Sequence, residues 1–131
     1  MADSRRGEGD AAVNEVLATL RIDGPLWTVN QERTWHWTKR AKHVKWWRTA
    51  TAWQAISLRL APFGRVAIIA QPTQLKAKAD AQAHAPVVKA MIDGLVDARL
   101  IADDGPRYVV SVTELAPIHG KDGITLTVLR A

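Results

Sequence analysis

Hydrophobic and polar positions recur along the chain in two periods, which predict four strands and two main helices. Alternation of period two is typical of a strand, and apolar positions three and four residues apart are typical of a helix. The predicted strands are Glu15–Ile22, Arg65–Ala70, Tyr108–Leu115 and Gly123–Leu129, and the predicted helices are Lys39–Leu60 and Pro86 to about Leu100. The order β-α-β-α-β-β predicts an α/β (α+β) fold, in which the two main helices pack on a small mixed sheet.

The segments between these elements carry turn and loop signals. Asp23-Gly24-Pro25 ends the first strand, and Pro62-Phe63-Gly64 ends the first helix. We expect residues 26–38 to form a long loop and residues 71–85 to form a polar, alanine-rich mobile loop. The link APIHGKDG, residues 116–123, is typical of a hairpin loop between the last two strands.

The length and the composition are those of one globular domain. The chain has 131 residues, of which 47% are hydrophobic and 24% are charged. We expect residues 1–13 to be a disordered tail and residues 14–131 to form a single domain. The absence of cysteine excludes disulfides and thiolate metal sites. With no apolar run long enough for a membrane span and no secretory signal, the expected location is the cytoplasm.

A net charge of +5 and a pI near 10.0 make a polyanion a candidate partner. All six tryptophans lie between Trp27 and Trp53. In the predicted helix Trp46 and Trp53 share one stripe, which predicts that both are core residues. The candidate DNA-binding residues around this helix are Arg33, Trp35, His36, Lys39, Arg40, Lys42, Lys45 and Arg48. The alternative is an ordinary solvated face, and Trp35 or Trp37 could either stack on an unpaired base or cover the core.

The second predicted helix places a lysine beside carboxylates. Four-residue spacing puts Lys89, Asp93 and Asp97 along one side, next to an apolar stripe formed by Val88, Ile92, Leu95 and Val96. Carboxylates hold hard divalent cations, and a lysine can stabilise a phosphoryl transition state. The alternatives are a surface ion pair and, for Asp103-Asp104-Gly105-Pro106, a plain turn. The histidines lack metal-ligand spacing and are predicted to be polar surface residues: His36, His43, His84 and His119.

The segment KAMIDGLVDARLIADDG, Lys89 to Gly105, resembles the signature of the RusA family of Holliday junction resolvases, which is common in phages. The shared pattern is a lysine-bearing helix, K-A-x-x-D-x-L, followed by a hydrophobic turn and an Asp-Asp pair. The resemblance extends over roughly Val16 to Leu129. It includes an Asn- and Arg-containing loop with Asn30 and Arg33.

The resemblance implies a homodimeric endonuclease that binds four-way DNA junctions and makes paired symmetric nicks with Mg²⁺ or Mn²⁺. By this likeness Lys89 contacts the phosphate, Asp104 binds the metal, and Asp93 and Asp103 are supporting acids and metal ligands. No small-molecule cofactor and no membrane partner are expected.

The chain departs from the family pattern just before the lysine helix. The family has D-x-D-N there, whereas this chain has Ala83-His84-Ala85-Pro86. Asp80 is the nearby carboxylate, and it is the candidate replacement as a catalytic acid and metal ligand. Two other hypotheses remain: a branched-DNA-binding protein of the same fold that does not cut, and a protein-interaction domain that uses the Trp-rich loop.

Overall fold

A mixed five-stranded sheet and two main helices form the molecule in a computed structural model that describes residues 15–76 and 79–131. The elements are β1 (Val16–Asp23), α1 (Val29–Glu32), α2 (Trp37–Ser57), β2 (Val66–Gln74), α3 (Ala85–Asp97), β3 (Val109–Glu114), β4 (Ile118–His119) and β5 (Gly123–Arg130). The predicted α+β class is confirmed, and α1 and β4 are additions to the predicted order. The predicted disordered tail, residues 1–13, lies outside the described residues.

The sheet has the strand order β1-β5-β2-β3, with β4 beside the end of β2. Strand β5 runs antiparallel to both β1 and β2, whereas β3 and β4 run parallel to β2. Strand register aligns the buried residues in rows across β1, β5 and β2: Ile22 with Ile124 and Pro72, Leu20 with Leu126 and Ala70, and Ala18 with Val128 and Ile68. These rows form the core together with the buried faces of the helices.

The opposite face of the sheet is polar and partly exposed, as expected for a sheet with one covered face. Arg21 lies there, and its guanidinium donates to the Asp23 carboxylate at 2.8 Å and to the Thr73 hydroxyl at 2.8 Å. Thr125 sits beside Arg21 in the register of β1 and β5. In β1 and β5 most apolar residues therefore lie on the core face and most polar residues on the opposite face.

Two predictions about the later strands are wrong. Residues 116–123 do not form a hairpin loop, because β2 lies between β3 and β5, and the link contains β4. The mobile loop predicted from residue 71 is wrong up to Gln74, since β2 continues to that residue. Gln71 and Thr73 are polar but alternate with buried Pro72, so this segment keeps the strand period with its polar residues on the polar face.

The core face of α2 is also different from the prediction. Trp47, Thr51 and Ala55 are its buried residues, whereas Trp46 is 47% exposed and Trp53 is 70% exposed. The Trp47 indole Nε1 donates to the Pro25 carbonyl oxygen at 3.0 Å, which satisfies its polar atom inside the core. The helix begins at Trp37 and ends at Ser57, close to the predicted Lys39–Leu60.

The prediction for α3 is confirmed, with an end three residues earlier than expected. Val88, Ile92 and Leu95 are buried as predicted, and Val96 is partly buried. Gly94 lies against α2, because an added Cβ there would be 2.5 Å from the Arg48 carbonyl oxygen and 2.9 Å from Thr51 Cβ. No helix in the described part of the chain has the length and apolar content needed to cross a membrane.

Candidate functional site

Lys89 lies between two carboxylates that come from different parts of the chain. On α3 its Nζ donates to Asp93 Oδ1 at 2.9 Å, one turn further along the helix. It also forms an ion pair with Asp104, which follows the helix by a short turn. Leu100 and Ile101 are buried, so the chain folds back against the core before it reaches Asp104. The sequence motif is thus assembled into one three-residue cluster.

The charges of this cluster reinforce one another. The Asp104 carboxylate raises the pKa of Lys89, and the Lys89 ammonium lowers the pKa of Asp104. Both groups are therefore charged at neutral pH. The side chains of Lys89 and Asp104 are 58% and 37% exposed, so water screens their attraction and an incoming ligand can reach them.

Asp97, the other carboxylate on this side of α3, has a different partner. Its two oxygens accept from Nε and Nη2 of Arg48 on α2, at 2.5 and 2.8 Å. This two-point contact with Arg48 lowers the pKa of Asp97. Arg48 is one of the predicted DNA-binding residues, and its guanidinium is engaged in the contact between the two helices. The pair therefore has an evident structural role.

Asp80 and Asp103 are not joined to the lysine in the same way. Asp80 lines a cavity of about 370 Å³ with Thr28, Asn30 and Gln82. Among the described residues, no ion pair or hydrogen bond connects Asp80 to Lys89. Asp103 is exposed, with its Oδ2 close to the backbone of Gly105. Three of the five predicted site residues therefore form the ion-paired cluster, Asp103 lies beside Asp104 and helps to lower its pKa, and Asp80 has no ion pair or hydrogen bond with the three.

The carboxylates could supply a small ligand set for a metal ion. Within residues 15–76 and 79–131 no three or more His, Cys, Asp or Glu side chains are grouped closely enough to hold a metal on their own. Asp93 and Asp104 are nevertheless within reach of the same ammonium group. Mg²⁺ is often held by one or two carboxylates, with substrate phosphates and waters in the other positions. The pair fits that smaller set.

The predicted DNA-binding residues divide into engaged and free cations. Arg40 forms an ion pair with Glu32, and the Lys39 ammonium lies 4.7 Å from the ring centroid of Trp35. Lys42 and Lys45 are exposed and have no acidic partner among the described residues. The free cations of α2 are therefore concentrated around Trp46.

The other aromatic and histidine candidates have local structural contacts. The His43 ring stacks on Trp35 at 4.8 Å between centroids, so Trp35 is partly covered. His36 is the N-cap of α2, where its Nδ1 accepts from the backbone N–H of Thr38 at 3.2 Å. The last two candidates, Arg33 and Trp37, are exposed, and the exposed fraction of Trp37 is 73%.

Sequence reasoning missed the position of His84. We predicted a polar surface residue, but its side chain is 3% exposed, and Nδ1 lies 2.8 Å from the Trp27 carbonyl oxygen. The backbone N–H of Val29 also donates to the Ala83 carbonyl oxygen, so this contact ties the segment before α3 to the Trp-rich loop. The residues on either side of His84 are small alanines, which leave room for its ring to be buried. They are the sequence feature that could have predicted its burial.

Comparison of the chain with protein-family models, with curated proteins and with solved structures finds no match. The chemistry that can be inferred therefore depends on the geometry of the Lys89 cluster and on the distribution of free cations. An exposed lysine between two carboxylates offers both a phosphate contact and oxygen ligands for a hard cation.

Proposed function

We propose that the protein is a metal-dependent endodeoxyribonuclease that cuts branched DNA, as its resemblance to the RusA family implies. The observation that carries the proposal is the exposed Lys89 ammonium held between Asp93 and Asp104. Phosphodiester hydrolysis needs a cation at the phosphate and a means of activating water. A lysine and two carboxylates in one accessible cluster can provide the protein's part of both.

In this proposal Lys89 contacts a nonbridging phosphate oxygen, and Asp93 and Asp104 hold the metal. Mg²⁺ or Mn²⁺, when bound, would lower the pKa of a water molecule and offset charge on the phosphoryl group. The Lys89 ammonium lowers the pKa of Asp104 and lies beside both carboxylates before DNA arrives. Lys89 exchanges a carboxylate oxygen for a phosphate oxygen, so its positive charge stays paired throughout.

Two carboxylates form an incomplete ligand set, which has a consequence for binding. We expect weak metal binding without DNA and stronger binding with it, because the phosphate supplies further oxygens. Asp80 is the candidate third acid, on the segment that leads into α3. Two active sites are needed for paired nicks, and a two-fold homodimer would supply them.

The decisive experiment is incubation of the purified protein with an end-labelled four-way junction, with Mg²⁺, with Mn²⁺ and with neither. We expect metal-dependent nicks at symmetric positions. Asp104→Asn should reduce the cleavage rate by about 100-fold or more while junction binding is retained. Asp97→Asn is the matched control, because it makes the same chemical change at the carboxylate that pairs with Arg48. An absence of nicking with either metal would refute the nuclease.

Asp80→Asn tests the third acid separately. If Asp80 completes the metal site, the rate should fall by at least about 10-fold at limiting metal and recover in part at high metal concentration. A rate equal to that of the unchanged protein would exclude Asp80 from the reaction. The Asp104→Asn result would still stand in that case.

A second candidate function is branched-DNA binding without cleavage. It is favoured by the absence of a group of three or more potential metal ligands among the described residues. In that case Lys89 and its carboxylates would stabilise only the local structure. Tight, salt-dependent junction binding with no nicking would identify this function.

A further inference from the structure

Trp46 is a large apolar side chain that is held in place but left half exposed. Its ring packs over Gly24, where an added Cβ would lie 2.5 Å from Cζ3 of the indole. It also meets the edge of Trp47 at 5.5 Å between centroids, with an angle of 75° between the ring planes. These contacts fix one edge of the ring, while 47% of the residue remains accessible. The contacts therefore hold the indole in one orientation, and about half of it remains open to a ligand.

Two shallow hollows border this ring. One has a volume of about 440 Å³ and lies beside Thr49 and Ala50, and the other has a volume of about 450 Å³ and lies beside Pro25 and His43. Trp46 and Lys42 line both. The first hollow is lined by residues of α2 alone, so it has no opposing wall. Such a surface suits a flat group that stacks on one face, rather than a side chain that must be enclosed.

The cations beside Trp46 indicate the charge of the occupant. Lys42 and Lys45 line the hollow next to Trp46, and neither has an acidic partner in the part of the chain that the structure describes. Trp53 is more exposed, at 70%, but does not line either hollow. An aromatic face with unpaired lysines at its border is complementary to a base with its phosphates.

We infer that Trp46, Lys42 and Lys45 form a binding site for unpaired nucleotides of single-stranded DNA. The base stacks on the Trp46 indole, and Lys42 and Lys45 contact the adjoining phosphates. This inference rests on the proposed function for its choice of nucleic acid over an acidic peptide, and it assigns a residue that recognises unpaired bases at a branch point. It differs from the predicted stacking residues, since His43 partly covers Trp35 and Trp37 lines neither hollow.

The test is fluorescence anisotropy with a labelled oligo-dT of about 20 nucleotides, in EDTA so that cleavage cannot occur. Trp46→Ala should raise Kd by about 10-fold or more, and Trp46→Phe should recover most of the affinity because it restores an aromatic face. Lys42→Gln with Lys45→Gln should raise Kd and flatten its dependence on salt. Trp53→Ala is the matched control, since it removes an exposed indole away from the lysines, and should leave Kd within about 2-fold.

Several results would overturn the inference: no oligo-dT binding by the unchanged protein, equal losses in Trp46→Ala and Trp53→Ala, or unchanged affinity in the double lysine variant. A change in sedimentation with Trp46→Ala, without a change in Kd, would assign the surface to a second copy of the chain. The exposed lysines keep the test readable if Trp46→Ala unfolds. The nuclease is tested separately by metal-dependent junction cleavage, so either proposal can fail while the other stands.

Discussion

The two main helices differ in how clearly their sequences identify a buried face. Helix α3 has one apolar stripe, and Val88, Ile92 and Leu95 are buried as the stripe predicts. Helix α2 has tryptophans at 37, 46, 47 and 53, so large apolar residues point in several directions, and the pair predicted to be core residues is exposed. A large aromatic residue thus does not identify the buried face by itself, because the fit of its neighbours decides which one the core accepts.

The contacts of Trp47 explain why it is buried, whereas Trp46 and Trp53 are exposed. Trp47 donates its N–H to Pro25, and Thr51, one turn later, donates its hydroxyl to the Trp47 carbonyl oxygen at 2.8 Å. Thr51 faces Gly94 of α3, where the helices approach closely. A small residue on α3 therefore permits the close approach of the α2 face that carries Thr51. Only the hydrogen bond from Thr51 to Trp47 is local in sequence. The contacts of Trp47 with Pro25 and of Thr51 with Gly94 join distant parts of the chain.

The largest expected effect comes from replacing Trp47 with alanine, with the same change at Trp53 as the comparison. Trp47→Ala should lower the free energy of unfolding by about 3–5 kcal/mol, because it leaves a cavity in the core and removes the donor to Pro25. Trp53→Ala should change it by no more than about 0.5 kcal/mol, since the residue is mostly exposed. Chemical denaturation followed by circular dichroism measures both.

The difference between these two variants is the informative quantity. Similar losses for Trp47→Ala and Trp53→Ala would mean that α2 buries both faces in solution, for example against a second copy. In that case the face with Trp47, Thr51 and Ala55 would be only one of two buried faces of α2.

The next effect tests the close approach between the helices. Gly94→Ala should destabilise by about 1–3 kcal/mol, since the added methyl would meet the Arg48 carbonyl oxygen and Thr51. Alanine is the better helix former by about 1 kcal/mol, which offsets part of this loss. Gly64→Ala is the control, because no atom lies within 4 Å of a Cβ built there. Equal stability of the two variants would place α2 and α3 further apart than described.

The strands and α3 could be predicted from sequence because their burial depends on local periodicity. The alternation of polar and apolar residues predicted β1, and the apolar stripe predicted the buried face of α3. Strand order is not local: β5 pairs with β1 and β2 across distances that no short pattern records, so the hairpin after β3 was predicted wrongly. The early end predicted for β2 has a different cause, since its last residues are polar although the period of two continues.

The candidate site likewise contains contacts that the sequence could predict and contacts that depend on the packing of distant elements. Lys89 and Asp93 could be placed together from one helical turn, and Asp104 from the motif that follows. Asp97 shares their spacing, yet it pairs with Arg48 from another helix, which only the packing of α2 on α3 reveals. The burial of His84 depends on the Trp27 carbonyl oxygen 57 residues away.

The ion pair between the helices should contribute a smaller amount. Arg48 and Asp97 are 46% and 40% exposed at their side chains, so a double-mutant cycle with Arg48→Met and Asp97→Asn should give a coupling of about 0.2–1 kcal/mol. The coupling should fall at high salt, because exposed charges are screened. A coupling of zero at low salt would leave Gly94 and the apolar contacts as the source of the helix pairing.

The smallest expected effect is the pH dependence of that pair. Arg48 lowers the pKa of Asp97 from its ordinary value of 3.8, so the contribution to stability is present above that pH and is lost as pH falls through the folded-state pKa. The stability difference between the unchanged protein and Asp97→Asn should therefore shrink between neutral pH and about pH 2.5. Asp104→Asn should follow the same trend, since Lys89 lowers the pKa of Asp104. A constant difference for Asp97→Asn would mean that the carboxylate gains nothing from Arg48, and that α2 and α3 are joined by packing alone.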